Sequence, residues 1–357
     1  MMNKILVAAA LGATAVAAQA QSSIVLGGIA DAAVRSVSNQ GLGSVKSMVS
    51  GSNSTSRLFF RGNEDLGGGL SASFHLEHGI LLDTGSAAQA TQFWDRRATV
   101  SLASKSLGEL RLGRDFVPSY VNWSRYDPFS YVGAAGANNF ISATPNGPIR
   151  SAFGTNPNTT VRSSNAVQYF LPGGLGGFEG GLLVAPGEGG TAANGQHKVT
   201  GARLGWAGGG FGISAATTTS ENNLTTTGKF KDSAIGGNAT VVGIRLGAVW
   251  RQFSQAGSKQ TTMLVGAVVP LANGEIKASW VKANLAGKVG TTLIDANDAQ
   301  QFALGYVHGL SKRSAIYAHV SRIDNDGAAT YVVPGGAAGI AGGKTSTGYE
   351  FGLRHSF

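Results

Sequence analysis

The sequence predicts an all-β fold, a 16-stranded antiparallel transmembrane β-barrel, and three observations lead there. Apolar side chains recur at every second position in segments of about ten residues, the period of a strand with two unlike faces. Charged residues make up 13% of the chain, against about 25% in ordinary soluble domains, while glycine reaches 54 residues. Beyond the N-terminal leader no stretch is uniformly apolar over the ~20 residues that a spanning helix needs. Hydrocarbon offers no partner to a free backbone N–H or C=O, so a membrane chain without such helices must close a sheet on itself.

The chain begins Met1, Met2, Asn3, Lys4, runs apolar from Ile5 to Ala18 and reaches Ala18-Gln19-Ala20. This succession of charged, apolar and small residues is that of a secretory signal peptide, with cleavage expected before Gln21 and a single barrel domain over 21–357. The apolar run is too short for a membrane anchor. Cysteine is absent, which excludes disulfides and thiolate metal sites even in an oxidising compartment. No cofactor or metal site is expected.

Three segments carry the strand pattern most clearly. In 70–78, Leu70, Ala72, Phe74, Leu76 and His78 alternate with Ser71, Ser73, His75 and Glu77. In 244–251, Ile244, Leu246, Ala248 and Trp250 alternate with Arg245, Gly247, Val249 and Arg251. At the end, Tyr349, Phe351, Leu353, His355 and Phe357 alternate with Glu350, Gly352, Arg354 and Ser356. Arginine on alternate positions requires one wet face. In a soluble sandwich that face is the outside; in a lipid-embedded barrel it lines a lumen.

Short turns (64–69, 104–108, 172–176, 207–210, 270–274, 310–312) alternate largely with long polar connections (36–55, 81–91, 116–161, 187–196, 220–231, 285–297, 324–346). Tight turns at one end and long loops at the other are what an up-and-down barrel requires, and about sixteen strands lie between them. Segment 116–161 exceeds the roughly 12–15 residues usual for a structureless connection. Its aromatics Phe116, Tyr120, Trp123, Tyr126, Phe129 and Tyr131 predict a packed loop folded into the lumen.

Several stretches resemble the Gram-negative general porins of the β-proteobacterial type. They are Ser56-Arg57-Leu58-Phe59-Phe60-Arg61-Gly62-Asn63-Glu64-Asp65-Leu66-Gly67-Gly68-Gly69-Leu70, Asp95-Arg96-Arg97-Ala98-Thr99-Val100-Ser101-Leu102, Leu110-Arg111-Leu112-Gly113-Arg114, Tyr126-Asp127-Pro128-Phe129, Arg162-Ser163-Ser164-Asn165-Ala166-Val167-Gln168-Tyr169 and the terminal Gly352-Leu353-Arg354-His355-Ser356-Phe357. The resemblance runs over the whole chain after the leader and is weakest in the long loops. It implies sixteen strands, a homotrimer in the outer membrane, and an inward-folded third external loop in each water-filled pore. It also implies passive passage of small solutes, with anions preferred. The C-terminal strand, with Tyr349, Phe351, Leu353 and Phe357, would be read by the barrel-assembly machinery, for which a strand edge with a free carboxylate is a suitable handle. Outer-membrane lipid and lipopolysaccharide complete the expected partners.

In the related porins arginines on the barrel wall face the constriction loop, and the matching positions are Arg57, Arg96 and Arg162. Arginine keeps its charge at every relevant pH, and charge on a low-dielectric wall focuses the field on passing ions. Strand parity puts Arg57, Phe59 and Arg61 inside if Leu58 and Phe60 meet lipid; Phe59 stands where the family has a small residue. With Val100 and Leu102 toward lipid, parity favours Arg97 over Arg96, while the resemblance favours Arg96. Both are kept, and Arg111 joins them along the anion path. Asp127 is the only acid between Asp115 and Glu179, so the loop opposes the basic wall weakly. The competing expectation is that the arginines are neutralised by Asp31, Glu77 and Glu350, or hold lipopolysaccharide phosphates.

An outer-membrane hydrolase would need a nucleophile or water activated by positioned partners, and His75, His78, His197, His308, His319 and His355 show no such spacing. Gly343-Lys344-Thr345 is not a phosphate loop, because the earlier glycine falls on Ala338. The basic charge is dispersed along strands, which argues against nucleic acid. A soluble sandwich or secreted adhesin predicts release without detergent. A porin specific for phosphate or organic anions remains the alternative within the class.

Overall fold

The computed structural model describes residues 23–141, 146–155, 160–189, 191–192 and 195–357. The expected signal peptide 1–20 and the expected cleavage before Gln21 lie outside them. Strand β1 is Ser23–Asn39, and β2 is broken into Gly43–Ser50 and Arg57–Gly67. Then follow β3 (Leu70–Leu81), β4 (Arg97–Ser104), β5 (Gly108–Phe116), β6 (Arg162–Phe170), β7 (Phe178–Ala185) and β8 (Lys198–Gly208). The second half comprises β9 (Phe211–Glu221), β10 (Phe230–Val241), β11 (Ile244–Gln255), β12 (Ser258–Leu271), β13 (Gly274–Val289), β14 (Ala299–Gly309), β15 (Ser314–Asn325) and β16 (Ser346–Ser356). Each strand pairs antiparallel with its neighbour, and β1 pairs with β16 from Ile29↔Ser356 to Asn39↔Ser346, which closes the sheet. The ladder runs to the last residue, because Gly28 and Phe357 exchange both backbone hydrogen bonds at 3.1 Å. The fold is thus a closed barrel of sixteen antiparallel strands.

One connection differs from the sequence expectation. Segment 36–55 is not one loop: 43–50 is strand, and only the break at 51–56 leaves the wall. There Asp31 takes the backbone N–H groups of Ser52, Asn53 and Ser54 at 2.7–3.2 Å. A polar Ser/Gly-rich strand hides that boundary. Between 230 and 271 the chain turns twice on two residues, at Val242-Gly243 and Ala256-Gly257. The β11–β12 link is therefore tight at the long-loop end, as is the β1–β2 link at 40–42. Val242 and Gly243 sit at φ 50 and 79, the left-handed geometry that matches strand twist in a two-residue hairpin.

The two faces are inverted relative to a soluble sheet. Val34 is 65% exposed and Phe351 60%, whereas Arg251 is fully buried and Glu350 is 3% exposed. Burying a leucine or phenylalanine is worth about 1.5–3 kcal/mol, so continuous outward rows of such residues suit hydrocarbon and not water. Among the described residues no helix is long and apolar enough to cross a membrane. The main buried apolar cluster joins Trp123, Tyr126, Phe140 and Phe153 of the long loop to Phe230, Phe253 and Leu264 on the strands.

Candidate pore constriction

The long loop after β5 contains helix α1 (Pro118–Ser124), a 3-10 turn (Ala137–Phe140) and helix α2 (Pro148–Phe153). It is fastened to the polar faces of strands β9 to β16. Ser119 Oγ donates to Asp232 Oδ2 at 2.6 Å, Tyr126 meets Ser214 at 2.6 Å, and Gln260 Nε2 donates to the Phe140 carbonyl at 2.7 Å. Asn139 Nδ2 donates to Gln301 Oε1 at 2.7 Å, and Ser321 Oγ to the Ala134 carbonyl at 2.6 Å. Glycines leave room for this approach. A Cβ at Gly236 would stand 2.6 Å from the Tyr126 ring, and one at Gly305 would stand 2.8 Å from Phe129. Glycine at inward positions of regular strands was the available signal for the loop's berth, since a strand interior otherwise disfavours it.

The opposite wall, β2 to β6, carries the arginines. Glu77 on β3 is their shared counter-charge: Arg96 Nε reaches Glu77 Oε1 at 2.5 Å, and Arg57 Nε lies 3.8 Å away. Arg162 donates to the Arg96 carbonyl at 2.7 Å and lies over the Phe116 ring at 4.5 Å. Among the described residues Arg162 has no carboxylate ion pair. An extra residue in β6, with Asn165 at φ 55, shifts the register there, so alternation carried back from Val167 and Tyr169 does not decide where Arg162 points.

Parity set Arg96 against Arg97, and the structure brings both to the same polar face. Arg97 is the first residue of β4, directly across from Glu77, and it reaches Asp115 at 2.6 Å. Arg96 precedes the strand, is free of its alternation, and turns to Glu77. Arg111 is held by Asp115 at 2.6 Å and Glu109 at 2.8 Å, so its charge is compensated, as is that of Arg97. Phe59 faces inward between Gly27 and Glu77 and packs against His75 and Arg61. Asp31 and Glu350 serve other groups: Asp31 accepts from Tyr317 at 2.5 Å, and Glu350 pairs with Arg35 at 2.7 Å.

Asp127 departs from its expected position on the pore side of the loop. It is 4% exposed and turned into the loop, where it accepts the N–H groups of Phe129, Tyr131 and Ala137 at 2.9–3.0 Å. Burial raises its pKa against those three donors. The acid that sequence places opposite the arginines is thereby used up as a turn former.

His197, at the end of the connection before β8, is buried against Phe153, and its Nδ1 accepts from Asn222 Nδ2 at 2.9 Å. That amide also donates to the Ala152 carbonyl, so Nδ1 must be the unprotonated nitrogen. Burial lowers the His197 pKa from 6.5 to about 4. The unfolded chain takes the proton first as pH falls, so the stability present above 6.5 is lost progressively toward 4, by at most about 3 kcal/mol. We expect the thermal midpoint to fall across that window and a His197→Gln variant to lose this component of the decline.

The sequence of this chain matches a family model described as Gram-negative porin over residues 7–328. It is 32% identical over 372 residues to outer membrane porin protein 32 of Delftia acidovorans, with 100% of both chains covered. It is 33% identical over 196 residues to an outer membrane porin protein of Bordetella pertussis, 51% of this chain and 47% of that one. A solved anion-selective porin from Comamonas acidovorans superposes with a TM-score of 0.77 at 30% identity, covering 94% of this chain and 100% of the other. A closed barrel with lipid-suited outward rows and a charged inner wall, matched end to end by the Delftia relative, belongs to the Gram-negative porin family of the outer membrane, whose members are channels and not enzymes.

Proposed function

We propose that this porin passes small hydrophilic solutes by general diffusion and prefers anions. The observation that carries the preference is the wall of Arg57, Arg96 and Arg162 around the single carboxylate Glu77, opposite a loop whose one acid is buried. We take the loop after β5 to fold into the lumen as the third external loop and to narrow it against that wall. Its hydrogen bonds to the polar faces of β9, β10, β12, β14 and β15 support this. Phe59, Arg61, Arg97 and Arg111 then line the path on the short-turn side. In a KCl gradient across a planar bilayer, the zero-current potential of the purified protein is expected to have the chloride sign. A potential of the cation sign overturns the preference.

The mature protein, 21–357 after signal-peptide removal, is proposed to be a homotrimer. The aromatic group Phe60, His78, Phe93 and Trp94 outside β2 and β3 supports a protein contact there; Phe93 is 64% exposed. Lipopolysaccharide is a further partner, supported by Lys231, Lys259 and Arg322 on outward positions near the long-loop ends of their strands. The outward row Tyr349, Phe351, Leu353, with Phe357 at the terminus, supports recognition by the assembly machinery.

A further inference from the structure

Below the arginine wall, toward the short turns, β1 to β5 line a half-open cavity of about 240 Å³. Arg61 faces it two inward positions along from Arg57, about 13 Å at strand rise. The registers Arg61↔His75, His75↔Thr99 and Ser101↔Arg111 put those side chains on one inner patch, with Arg97 above them. We propose that this cavity is a discrete resting site for a small oxyanion, a carboxylate or a phosphate, separate from the constriction. The proposal rests on the pore being an anion path.

The charges favour it. Asp115, 2% exposed, fixes Arg97 and Arg111 from between them, and Glu109 holds Arg111 from the rim. Their guanidinium groups are therefore held in place before any ligand arrives. Arg61 is different. Among the described residues it has no ion pair and no hydrogen bond to its side chain, only the Phe59 ring at 5.4 Å. Three arginines against Asp115 and Glu109 leave one net positive charge, with Glu77 engaged by Arg57 and Arg96 one level up and 3.4 Å from His75 Nε2.

The free group is a planar fork, which two oxygens of one carboxylate or phosphate match and a spherical chloride does not. The hydroxyls of Thr99 and Ser101 on the same patch supply neutral donors for the remaining oxygens. The volume takes such an anion with some of its water, at about 30 Å³ for each water. A site of this kind in a channel must bind weakly enough to release.

The test is single-channel current in fixed KCl with inorganic phosphate added to either side, and acetate as a second probe. The expected result is a saturable fall in chloride current with phosphate or acetate. In Arg61→Lys, which keeps the charge and removes the fork, the half-blocking concentration is expected to rise about tenfold, the loss of one bidentate contact. A current that changes linearly with both probes overturns the site, as does an unchanged half-blocking concentration in Arg61→Lys. Failure of the anion path itself is read separately, from the sign of the wild-type zero-current potential in KCl alone.

Discussion

Exchanging Arg57, Arg96 and Arg162 together for glutamine is expected to move the zero-current potential in a KCl gradient from the chloride side to near zero. A unit charge 6 Å from a passing ion contributes roughly 0.7 kcal/mol at the dielectric of water, about threefold in the occupancy of each ion and about tenfold in their ratio. Glu77, held by Arg96 at 2.5 Å and Arg57 at 3.8 Å, leaves the wild-type cluster at about +2 and stays behind at −1 in the variant, where Arg61, without an ion pair among the described residues, offsets it. The shift grows as salt is lowered, because screening weakens. Glu77→Gln acts in the opposite direction: the same arginines lose their counter-charge, and the anion preference rises. Opposite shifts from the two variants tie the field to this cluster and exclude a general loosening of the barrel, which would move both toward zero. Wild-type potentials in both variants would mean that the selectivity arises elsewhere on the wall.

The barrel was legible because lipid imposes a period of two on every strand, and three segments picked out by that period begin strands at Leu70, Ile244 and within Ser346–Ser356. Lengths of connections were legible where turns carry glycine runs and were not where they shrink to two residues, at Val242-Gly243 and Ala256-Gly257. Inner-wall directions followed parity only inside regular ladders. Arg57, Phe59 and Arg61 lie in one, with their partners Gly79, Glu77 and His75. Arg96 stands one residue outside a strand and Arg162 next to a register shift, and at both places alternation stops carrying information. Asp127 was misplaced for a different reason. Composition identifies the only acid of a loop, but whether it faces the pore or binds its own backbone depends on the loop's turn, which periodicity does not encode.

Asp232→Ala is expected to cost the most stability of any single change considered, about 3–5 kcal/mol, because it strands a buried guanidinium. Arg251 meets Asp232 with two parallel bonds, Nε to Oδ1 at 2.9 Å and Nη2 to Oδ2 at 2.7 Å, and neither side chain is more than 2% exposed. The guanidinium is also flanked by Phe253 at 4.6 Å and Trp123 at 5.6 Å, so no water replaces the lost carboxylate cheaply. Asp232 Oδ2 accepts Ser119 Oγ as well, which makes the pair the anchor of α1. The expected outcome is a lower thermal midpoint together with larger and noisier single-channel currents as the loop leaves its berth. Asp232→Leu combined with Arg251→Met removes both charges and should recover most of the stability, since a buried ion pair replaced by apolar groups of similar size is often neutral. The double variant leaves Ser119 Oγ only the Thr218 hydroxyl at 2.9 Å, so its currents should stay noisier than those of the wild type while its midpoint returns. A quiet current in Asp232→Ala would show that the loop is held by its other contacts, Tyr126 to Ser214 and Asn139 to Gln301, without this pair.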